Sequence, residues 1–373
     1  MIKGLFILYD FSTRNIDISS GISKKIYAQK EVLESLPCKM EFYNPYEYKM
    51  DNIIFRVCRR LPLWGYLNKP VVECDYQEYD FVYIRKPWLM DVDTLFLLRK
   101  IKKENNKIII IMELPTYPYD YEMEKISMYP LLVKDKIYRH LLKKYVDRIV
   151  TYSEDKSIWG IKTICISNGV KMDERLDEFT ENDEVNIIAV SNLAFWHGYD
   201  RAIEGLNNYY SSGGKENIIL HIVGTGNELK KLKRIVDKYN LGDKVIFYGR
   251  KSKDELIELY KICKIGMDSL GRHRSKVYYN SSLKSKEYLM KGLLVVSAVK
   301  NELDYEENYP YYLRIPANDV PVDYNKILSF YHKIYDFDKE ENIRRKIIKF
   351  GIKTFSMEKA MKSLMRYLRC MKL

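Results

Sequence analysis

The feature that most constrains the fold is a regular alternation of short apolar segments with longer amphipathic ones. Apolar runs of roughly four to eight residues favour buried strands, and amphipathic stretches favour helices packed against them. In the first half, the predicted strands are residues 4–9, 81–84, 107–112 and 148–151. Helical patterns at 23–35 and 92–104 lie between them. Strand, helix and strand in this order predict a parallel sheet with helices on both faces.

The same alternation restarts in the second half. The predicted strands are residues 186–191, 218–223, 244–248, 265–269 and 293–298. The predicted helices are residues 199–210, 227–239, 253–263 and 283–291. The chain is therefore predicted to be an α/β protein with two doubly wound domains in series. An Asn-Gly turn within 167–170 and the polar stretch 171–184 mark the boundary.

We assign an N-terminal domain to residues 1–167 and a C-terminal domain to 168–350. Residues 351–373, which include the helical pattern 359–373, are expected to form a C-terminal helix that packs back on the N-terminal domain. In open α/β sheets, ligands bind at the carboxyl ends of the strands. The loops that follow the strands are therefore the places to look for chemistry.

Composition and charge narrow the class of protein. The chain has 373 residues, of which 46% are hydrophobic and 31% charged, which excludes disordered, collagen-like and disulfide-stapled scaffolds. The formal charge of +12 is spread over both halves. An even distribution argues against a nucleic-acid tail and fits an anionic small substrate or an anionic membrane surface.

Targeting and metal signals are absent from the sequence patterns. The six cysteines form no C-x-x-C pair, and the five histidines show no metal-ligand spacing. The N-terminal apolar run is too short for a signal peptide, and no stretch is long enough to span a membrane. These patterns predict a cytoplasmic protein with no bound metal.

Two strand-to-helix turns are candidates for anion binding. Gly224-Thr-Gly226 joins a predicted strand to a helix, and such turns either approach a ligand closely or are simply tight turns. The segment 19–25 opens the first helix, where its hydroxyls and N–H groups would suit an anion. Alternatively, Ser20 or Ser23 is an ordinary N-cap.

The most unusual segment is the loop 268–287. It concentrates positive side chains between a strand and a helix: Arg272, His273, Arg274, Lys276 and Lys284. Cations on a strand-end loop that is also rich in Gly and Ser can hold a diphosphate through charge and backbone N–H groups together. We interpret this loop as a phosphate-binding segment.

Three further patterns involve acidic residues and a histidine near predicted strands and helices. Glu113 follows a predicted strand and precedes a Pro- and Tyr-rich loop, so it is either a cleft residue or an ordinary loop acid. Asp91-Val-Asp93 precedes an amphipathic helix and is interpreted as a helix start, not a metal motif. His221, inside a buried-strand pattern, is interpreted as structural.

Taken in order, these segments resemble the retaining two-domain glycosyltransferases often called group 1 or family 4. The resembling segments in the second half are 167–170, 189–198, 224–229, 245–249, 255–260 and 283–296. In the first half, residues 20–23 resemble the glycine loop of the family. The resemblance implies a GT-B fold, in which two Rossmann-like doubly wound parallel-sheet domains face a cleft.

The resemblance also implies an activity. A sugar would move from a nucleotide-diphosphate sugar, expected to be a UDP-sugar, to an acceptor hydroxyl with retention of configuration. The departing phosphate would take the acceptor proton, so no further cofactor and no metal is implied. Bacterial members of the family often build capsule, exopolysaccharide or lipopolysaccharide. A glycan or lipid-linked saccharide acceptor is therefore expected, with the protein at the inner face of the cell membrane.

The resemblance assigns roles to particular residues. Those placed at the chemistry are Glu113, Arg272, Lys284 and Glu287, with Glu113 orienting acceptor or sugar and Glu287 accepting the ribose hydroxyls. Those placed along the bound donor are Gly21, Asn192, His197, Gly224, Gly226, Arg250, His273, Ser282 and Leu283.

The sequence departs from the family pattern at three positions. Tyr279 replaces the first of two glutamates that flank seven residues, and only Glu287 remains. Asn192 and His197 take the positions of the common phosphate-binding Arg and Lys. Arg272, Arg274 and Lys284 are expected to supply the missing charge.

Other interpretations stay open at this stage. A nucleotide-sugar-binding protein without transferase activity and a sugar-nucleotide epimerase of the same fold are the alternatives. Arg56, Arg59 and Arg60, beside Leu61, Leu63 and Trp64, either rest on anionic lipid or form an ordinary surface loop.

Overall fold

Two compact units make up the chain. The computed structural model describes residues 2–9, 21–45, 57, 61, 64–65, 74–123, 126–170 and 184–370. Unit 1 consists of Met1–Ser167 together with Met357–Leu373, and unit 2 consists of Asn168–Ser356. Each unit is built on one predominantly parallel sheet with helices. The predicted α/β fold with two doubly wound parallel sheets is confirmed.

The sheet of unit 1 has the strand order β2-β1-β3-β4-β5-β7-β6. Its strands are β1 (Ile2–Ile7), β2 (Cys38–Tyr43), β3 (Phe81–Arg85), β4 (Ile109–Leu114), β5 (Arg148–Thr151), β6 (Ser157–Ile158) and β7 (Ile161–Cys165). All neighbours are parallel except β6 and β7. Among the described residues up to Ser167, the helices are α1 (Gly21–Glu34), α2 (Val92–Glu104) and α3 (Tyr129–Leu141).

The acidic pair before α2 is a helix start, as the sequence predicts. Asp91 is the N-cap, and its carboxylate accepts a hydrogen bond of 3.0 Å from the Thr94 N–H. This bond satisfies one of the N–H groups that a helix leaves unpaired at its first turn. Asp91 therefore has a structural role.

The sheet of unit 2 is entirely parallel, with the order β10-β9-β8-β11-β12-β13. Its strands are β8 (Val185–Val190), β9 (Ile218–Val223), β10 (Val245–Gly249), β11 (Ile265–Met267), β12 (Leu294–Ser297) and β13 (Tyr312–Arg314). Its helices are α4 (Tyr199–Ser211), α5 (Leu229–Lys238), α6 (Lys253–Ile262), α7 (Leu283–Met290), α8 (Tyr324–Tyr335) and α9 (Glu340–Phe355). The strand order reverses between β8 and β11, which is where doubly wound folds bind ligands.

The end of the chain returns to unit 1. Helices α10 (Met357–Ala360) and α11 (Lys362–Cys370) follow α9. Their apolar side chains, including Met361, Leu364 and Leu368, are buried in a core cluster with Phe6 from β1. The sequence predicts one helix over 359–373. The structure divides the described part of it at Met361.

Strand β4 differs from its sequence-based prediction in a way that concerns the site. The apolar run predicts a strand that ends at residue 112, with Glu113 after it. In the structure β4 extends to Leu114, and Glu113 pairs with Arg85 on one side and Val150 on the other. Neighbouring strands on both sides extend the ladder past the last apolar residue, so Glu113 lies within the strand.

His221 has the structural role that the sequence predicts. It lies in the middle of β9 and is buried. Its Nε2 is 2.7 Å from the Asn186 side-chain oxygen, and its Nδ1 is 2.8 Å from the Tyr248 hydroxyl. A neutral ring satisfies both contacts if Nε2–H donates and Nδ1 accepts. Burial lowers the pKa of His221 to about 4.

The free energy of unfolding should fall as the pH drops from 6.5 towards 4. His221 has a depressed pKa in the folded protein, so the unfolded chain takes up this proton first and is stabilised by it. His221→Gln should flatten the pH dependence in urea denaturation between pH 7 and 4.5. The matched control is His332→Gln, because Glu216 and Asp336 raise the pKa of His332 against the effect of burial. An unchanged slope in His221→Gln would contradict the assignment.

Candidate functional site

The loops after β8 and β9 are joined through their main chains. Leu193 N–H donates to the Thr225 carbonyl at 2.8 Å, and Glu228 N–H donates to the Leu193 carbonyl at 3.2 Å. These bonds tie the glycine turn 224–226 to the loop that carries Asn192 and His197. The glycine turn therefore positions the neighbouring loop.

The two glycines are needed for this close approach. Gly224 has a φ of +125°, and a Cβ built there would lie 1.8 Å from the Ser191 carbonyl oxygen. A Cβ on Gly226 would lie 2.2 Å from the Leu193 carbonyl oxygen. A side chain at either position would push the loop after β8 away, because backbone atoms cannot move aside as a flexible side chain can.

We expect Gly224→Ala to destabilise the protein by about 2 kcal/mol or more, since it combines an unfavourable φ with a backbone clash. Equilibrium unfolding in urea measures this change. The control is Gly242→Ala, where a new Cβ meets nothing within 4 Å. Equal stability of the two variants would show that the loop after β8 adapts without cost.

The basic loop after β11 packs against the same loop. Leu270 N–H donates to the His197 carbonyl at 2.7 Å. Gly198, with a φ of +66°, lies so close to Gly271 that a Cβ would be 2.6 Å from the Gly271 nitrogen. The loops after β9, β8 and β11, which are neighbouring strands in the sheet, thus form one connected surface at its carboxyl edge. This surface surrounds the point where the strand order reverses.

A buried carboxylate organises this surface. Asp268 follows β11 and is fully buried. It accepts hydrogen bonds from the Ser282 hydroxyl (3.0 Å), the Ser269 N–H (2.7 Å) and the Ser285 hydroxyl (2.5 Å). Burial would raise the pKa of Asp268, but the Lys284 charge and these hydrogen bonds outweigh it and hold the pKa below its ordinary value. Asp268 is therefore ionised at neutral pH.

Lys284 is held by this carboxylate in the first turn of α7. Its Nζ lies 3.2 Å from Asp268 and donates to the Ser269 hydroxyl at 2.8 Å. Burial lowers the pKa of Lys284, Arg272 adds to the effect, and Asp268 opposes it. The result is a cation fixed beside the N–H groups of a helix N-terminus, an arrangement that attracts anions.

His197 adds a neutral donor to the same place. The Ala194 N–H donates to its Nδ1 at 3.2 Å, so the proton of the neutral ring is on Nε2. Burial, followed by the charges of Lys284 and Arg272, holds the pKa of His197 well below its usual value. The position that the resemblance compares with a cation therefore holds an uncharged hydrogen-bond donor.

Two basic residues of the loop lie against carboxylates, and a third lies over an aromatic ring. Arg274 is held by carboxylates, at 2.9 Å from Asp200 and 2.6 Å from Asp319. His273 Nε2 is 3.1 Å from the same Asp319. The Arg272 guanidinium lies over the Trp196 ring at 5.6 Å. The expectation that Arg274 supplies phosphate charge is thus weakened, because two carboxylates already neutralise it.

The remaining predicted residues of unit 2 follow its strands or lie on α7. Asn192 and Arg250, which follow β8 and β10, are exposed. Ser282 is the buried N-cap of α7, and Leu283 is its first residue. Glu287 is exposed on α7, and its charge acts on the Lys284 ammonium. The structure therefore brings His197, Arg272, Ser282 and Lys284 together.

Glu113 in unit 1 is surrounded by donors. They are the Tyr152 hydroxyl (2.8 Å), Arg85 Nη1 (2.9 Å), the Tyr83 hydroxyl (3.0 Å), Gln29 Nε2 (3.2 Å) and Lys25 Nζ (3.5 Å). The carboxylate is fully buried. Burial would raise the pKa of Glu113, but Lys25, Arg85 and the two tyrosines lower it by a larger amount. The pKa of Glu113 therefore lies below its ordinary value. Glu113 therefore fixes Lys25 of α1 and Arg85 of β3 near the carboxyl ends of the central strands β3 and β4.

Gly21 is the first residue of α1, four residues before Lys25. Ser19 and Ser20, the other predicted members of this turn, lie outside the described residues. So do Arg56, Arg59, Arg60 and Leu63 of the basic segment.

Sequence reasoning missed Asp268 as the organising residue. The signal was present, because an acid directly after a buried strand in a doubly wound fold lies at the ligand-binding edge. Its partners Ser282, Lys284 and Ser285 are 14 to 17 residues away. They meet it only because α7 packs beside β11.

Two features are absent from the residues that the structure describes. No helix among them combines the length and apolar character needed to cross a bilayer. In the same ranges, His, Cys, Asp and Glu side chains form no group of three that could hold a metal ion.

Comparisons with known proteins identify the class of fold. A family model described as Glycosyl transferases group 1 matches residues 171–267. A glycosyltransferase from Rickettsia africae is similar at a TM-score of 0.63 and 13% identity, over 100% of this chain and 99% of that one. A sucrose-phosphate synthase from Thermosynechococcus elongatus gives 0.65 and 13% over the same shares.

A third similar structure was solved with bound ligands. Anabaena HepE, in complex with UDP and glucose, gives a TM-score of 0.60 and 14% identity over 99% of this chain and 100% of that one. No curated protein matches the sequence. The fold is that of the GT-B glycosyltransferases, and the matched family segment, 171–267, includes strands β8 to β11.

Proposed function

We propose that the protein is a retaining glycosyltransferase that uses a nucleotide-diphosphate sugar, with a UDP-sugar as the expected donor. The observation that carries the proposal is the cation-rich surface at the carboxyl edge of unit 2. There Lys284 is fixed by a buried carboxylate beside the first turn of α7, with Arg272 and the neutral donor His197 nearby. The family match supports the transferase class, and the UDP and UDP-glucose complexes of HepE support this choice of donor.

The chemistry needs a stabilised diphosphate leaving group. Negative charge develops on the phosphate as the sugar departs, and fixed cations and oriented N–H groups stabilise it without having to reorganise. Lys284 and Arg272 would supply charge. The N–H groups at Ser282 and Leu283 would supply hydrogen bonds. His197 Nε2 would donate to a phosphate or sugar oxygen without adding charge.

Other residues would position the two substrates. Glu287 would accept the ribose hydroxyls, and Arg250 would border the base. Gly21 would lie near the phosphates. Glu113 would act through Lys25 and Arg85, which it holds in place, and these cations would orient the acceptor. The acceptor would be a glycan or lipid-linked saccharide at the inner face of the membrane, in the synthesis of a surface polysaccharide or glycolipid.

Donor binding and slow hydrolysis test the proposal. A panel of UDP-, GDP- and ADP-sugars should contain one that binds by calorimetry and is slowly cleaved. Glu287→Ala should weaken that binding about tenfold, as expected when hydrogen bonds to ribose are lost. The control is Glu258→Ala, an exposed acid on α6. No binding by any sugar nucleotide would overturn the assignment.

The stereochemistry is tested separately once an acceptor is found. Proton NMR of the first product formed should show the anomeric configuration of the donor. Inversion would keep the transferase assignment and reject the retaining one. Tight donor binding without hydrolysis or transfer would favour a nucleotide-sugar-binding protein, in agreement with Tyr279 at the position of the first family glutamate.

A further inference from the structure

A loop from the edge of the unit 2 sheet reaches the middle of its carboxyl edge. Residues 315–323, here called the β13 loop, connect β13 to α8. Strand β13 is separated from β8 by β12 and β11. The Val322 N–H nevertheless donates at 3.0 Å to the carbonyl of Arg201 in α4, the helix that follows β8. The β13 loop therefore crosses the loops that carry the basic residues.

The main chain of the β13 loop is fixed by Arg201, which is buried. The guanidinium donates to three acceptors of the loop: the Val320 carbonyl (2.8 Å), the Asn318 side-chain oxygen (3.1 Å) and the Pro316 carbonyl (3.2 Å). It also donates to the main-chain oxygen of Leu270, in the loop 268–287. These contacts hold the β13 loop in place without using the side chain of Asp319.

Asp319 presents its carboxylate to two basic residues of the loop 268–287. Its Oδ1 accepts a hydrogen bond of 2.6 Å from Arg274 Nε and lies 3.1 Å from His273 Nε2. The bond from Arg274, followed by the contact with His273, outweighs burial and holds the pKa of Asp319 below its ordinary value. A negative group of the protein itself therefore lies on donors that suit a phosphate oxygen.

The carboxylate of Asp319 can be displaced at low cost. Its side chain is 68% exposed, and water screens an ion pair of such an exposed group. A diphosphate carries more charge and more acceptor oxygens than one carboxylate, so it forms stronger bonds with a guanidinium. A diphosphate at this edge can therefore take the place of Asp319.

Arg274 keeps its position when Asp319 is displaced. Its Nη1 donates to both carboxylate oxygens of Asp200, at 2.9 and 3.1 Å, and to the Phe195 carbonyl at 3.1 Å. All three bonds use Nη1, whereas Asp319 binds Nε. The guanidinium is thus anchored to the loop after β8 by one nitrogen and bound to Asp319 by another.

His273 gives an independent indication that the contact with Asp319 is one of two arrangements. Its Nδ1 is buried and has no hydrogen-bond partner among the described residues. Buried polar atoms are nearly always hydrogen-bonded, so a ring with one nitrogen unsatisfied is poorly stabilised. A ligand that draws His273 away from Asp319 breaks one hydrogen bond and lets both ring nitrogens find partners.

We infer that Asp319 is an internal counter-ion that competes with the diphosphate of the substrate for Arg274 and His273. The competition lowers the affinity of the site for a nucleoside diphosphate and so favours release of this product. The inference rests on the proposed function, because it requires that the diphosphate binds at this edge of unit 2.

Calorimetric binding to the full-length protein tests the inference, with UDP, GDP, ADP and inorganic pyrophosphate as the probes. Asp319→Asn should tighten binding of pyrophosphate and of the preferred nucleotide by about three- to tenfold, because a negative charge beside the ligand is removed. The affinity should also fall more steeply with salt than in the wild type. A purely structural role of Asp319 predicts the opposite sign, since a disordered loop would weaken binding.

Two further variants serve as controls. Asp243→Asn changes another exposed aspartate of unit 2, which pairs with Lys244 at 3.6 Å, and should leave binding unchanged. Adding Arg274→Gln to Asp319→Asn should remove most of the gain, because the guanidinium is the charge that Asp319 neutralises. The melting temperatures of all variants should match that of the wild type.

The outcomes separate the inference from the proposed function. Nucleotide binding that is equal or weaker in Asp319→Asn would overturn the inference and leave the donor site intact. A gain that persists in the double variant would overturn the competition for Arg274. If neither wild type nor Asp319→Asn binds any of the four probes, the donor site and the inference are both wrong.

Discussion

Replacing Lys284 with alanine should lower the rate of donor cleavage by about 100-fold or more, as is typical when one stabilising donor is removed from a developing negative charge. Lys284 is the cation that Asp268 and the Ser269 hydroxyl fix at this edge. Single-turnover hydrolysis of the sugar nucleotide identified by the binding panel measures the change. Lys326→Ala removes an exposed lysine of the same unit and should leave the rate unchanged.

Asp268→Asn tests the same site through the pH dependence of donor cleavage. The carboxylate raises the pKa of Lys284, whereas burial and Arg272 lower it. Without the carboxylate the pKa of Lys284 should fall further, so the alkaline limb of the pH–rate profile should move to lower pH. A uniform loss of rate at every pH would show instead that Asp268 only maintains the loop structure.

The second large effect concerns stability. Glu113→Gln should destabilise the protein by about 3 kcal/mol or more, because it leaves Lys25 and Arg85 without their buried counter-charge. The partners are close, with Arg85 at 2.9 Å and Lys25 at 3.5 Å, and the carboxylate is fully buried. Urea denaturation at neutral pH measures the loss.

A matched control exists in the same unit. Glu78 forms an ion pair of 3.1 Å with Lys3, and both side chains are largely exposed. Glu78→Gln should change the free energy of unfolding by less than about 1 kcal/mol, because water screens the pair. If Glu113→Gln were equally mild, the cluster would be relaxing or admitting water. Its proposed role in holding Lys25 and Arg85 would then be wrong.

The sequence by itself determined the architecture. Periodicity reflects which side chains each element buries, and that local signal predicted two parallel sheets and most of their strands and helices. It also predicted the helix start at Asp91 and the structural role of His221. The same reasoning directed attention to the loop that contains Arg272 and Lys284, because strand-end loops of such sheets carry ligands.

Only the tertiary structure decided the partners. Glu113 contacts residues 28 to 88 positions away in sequence, and Asp268 meets Lys284 through the packing of α7 beside β11. Neither pairing leaves a periodic trace in the sequence. The burial of Lys134, Asp135 and Arg139 on α3 is decided in the same way, because an amphipathic pattern shows only that two faces differ. Which face is buried depends on the polar groups, such as Asp120 and Tyr119, that the fold brings against it.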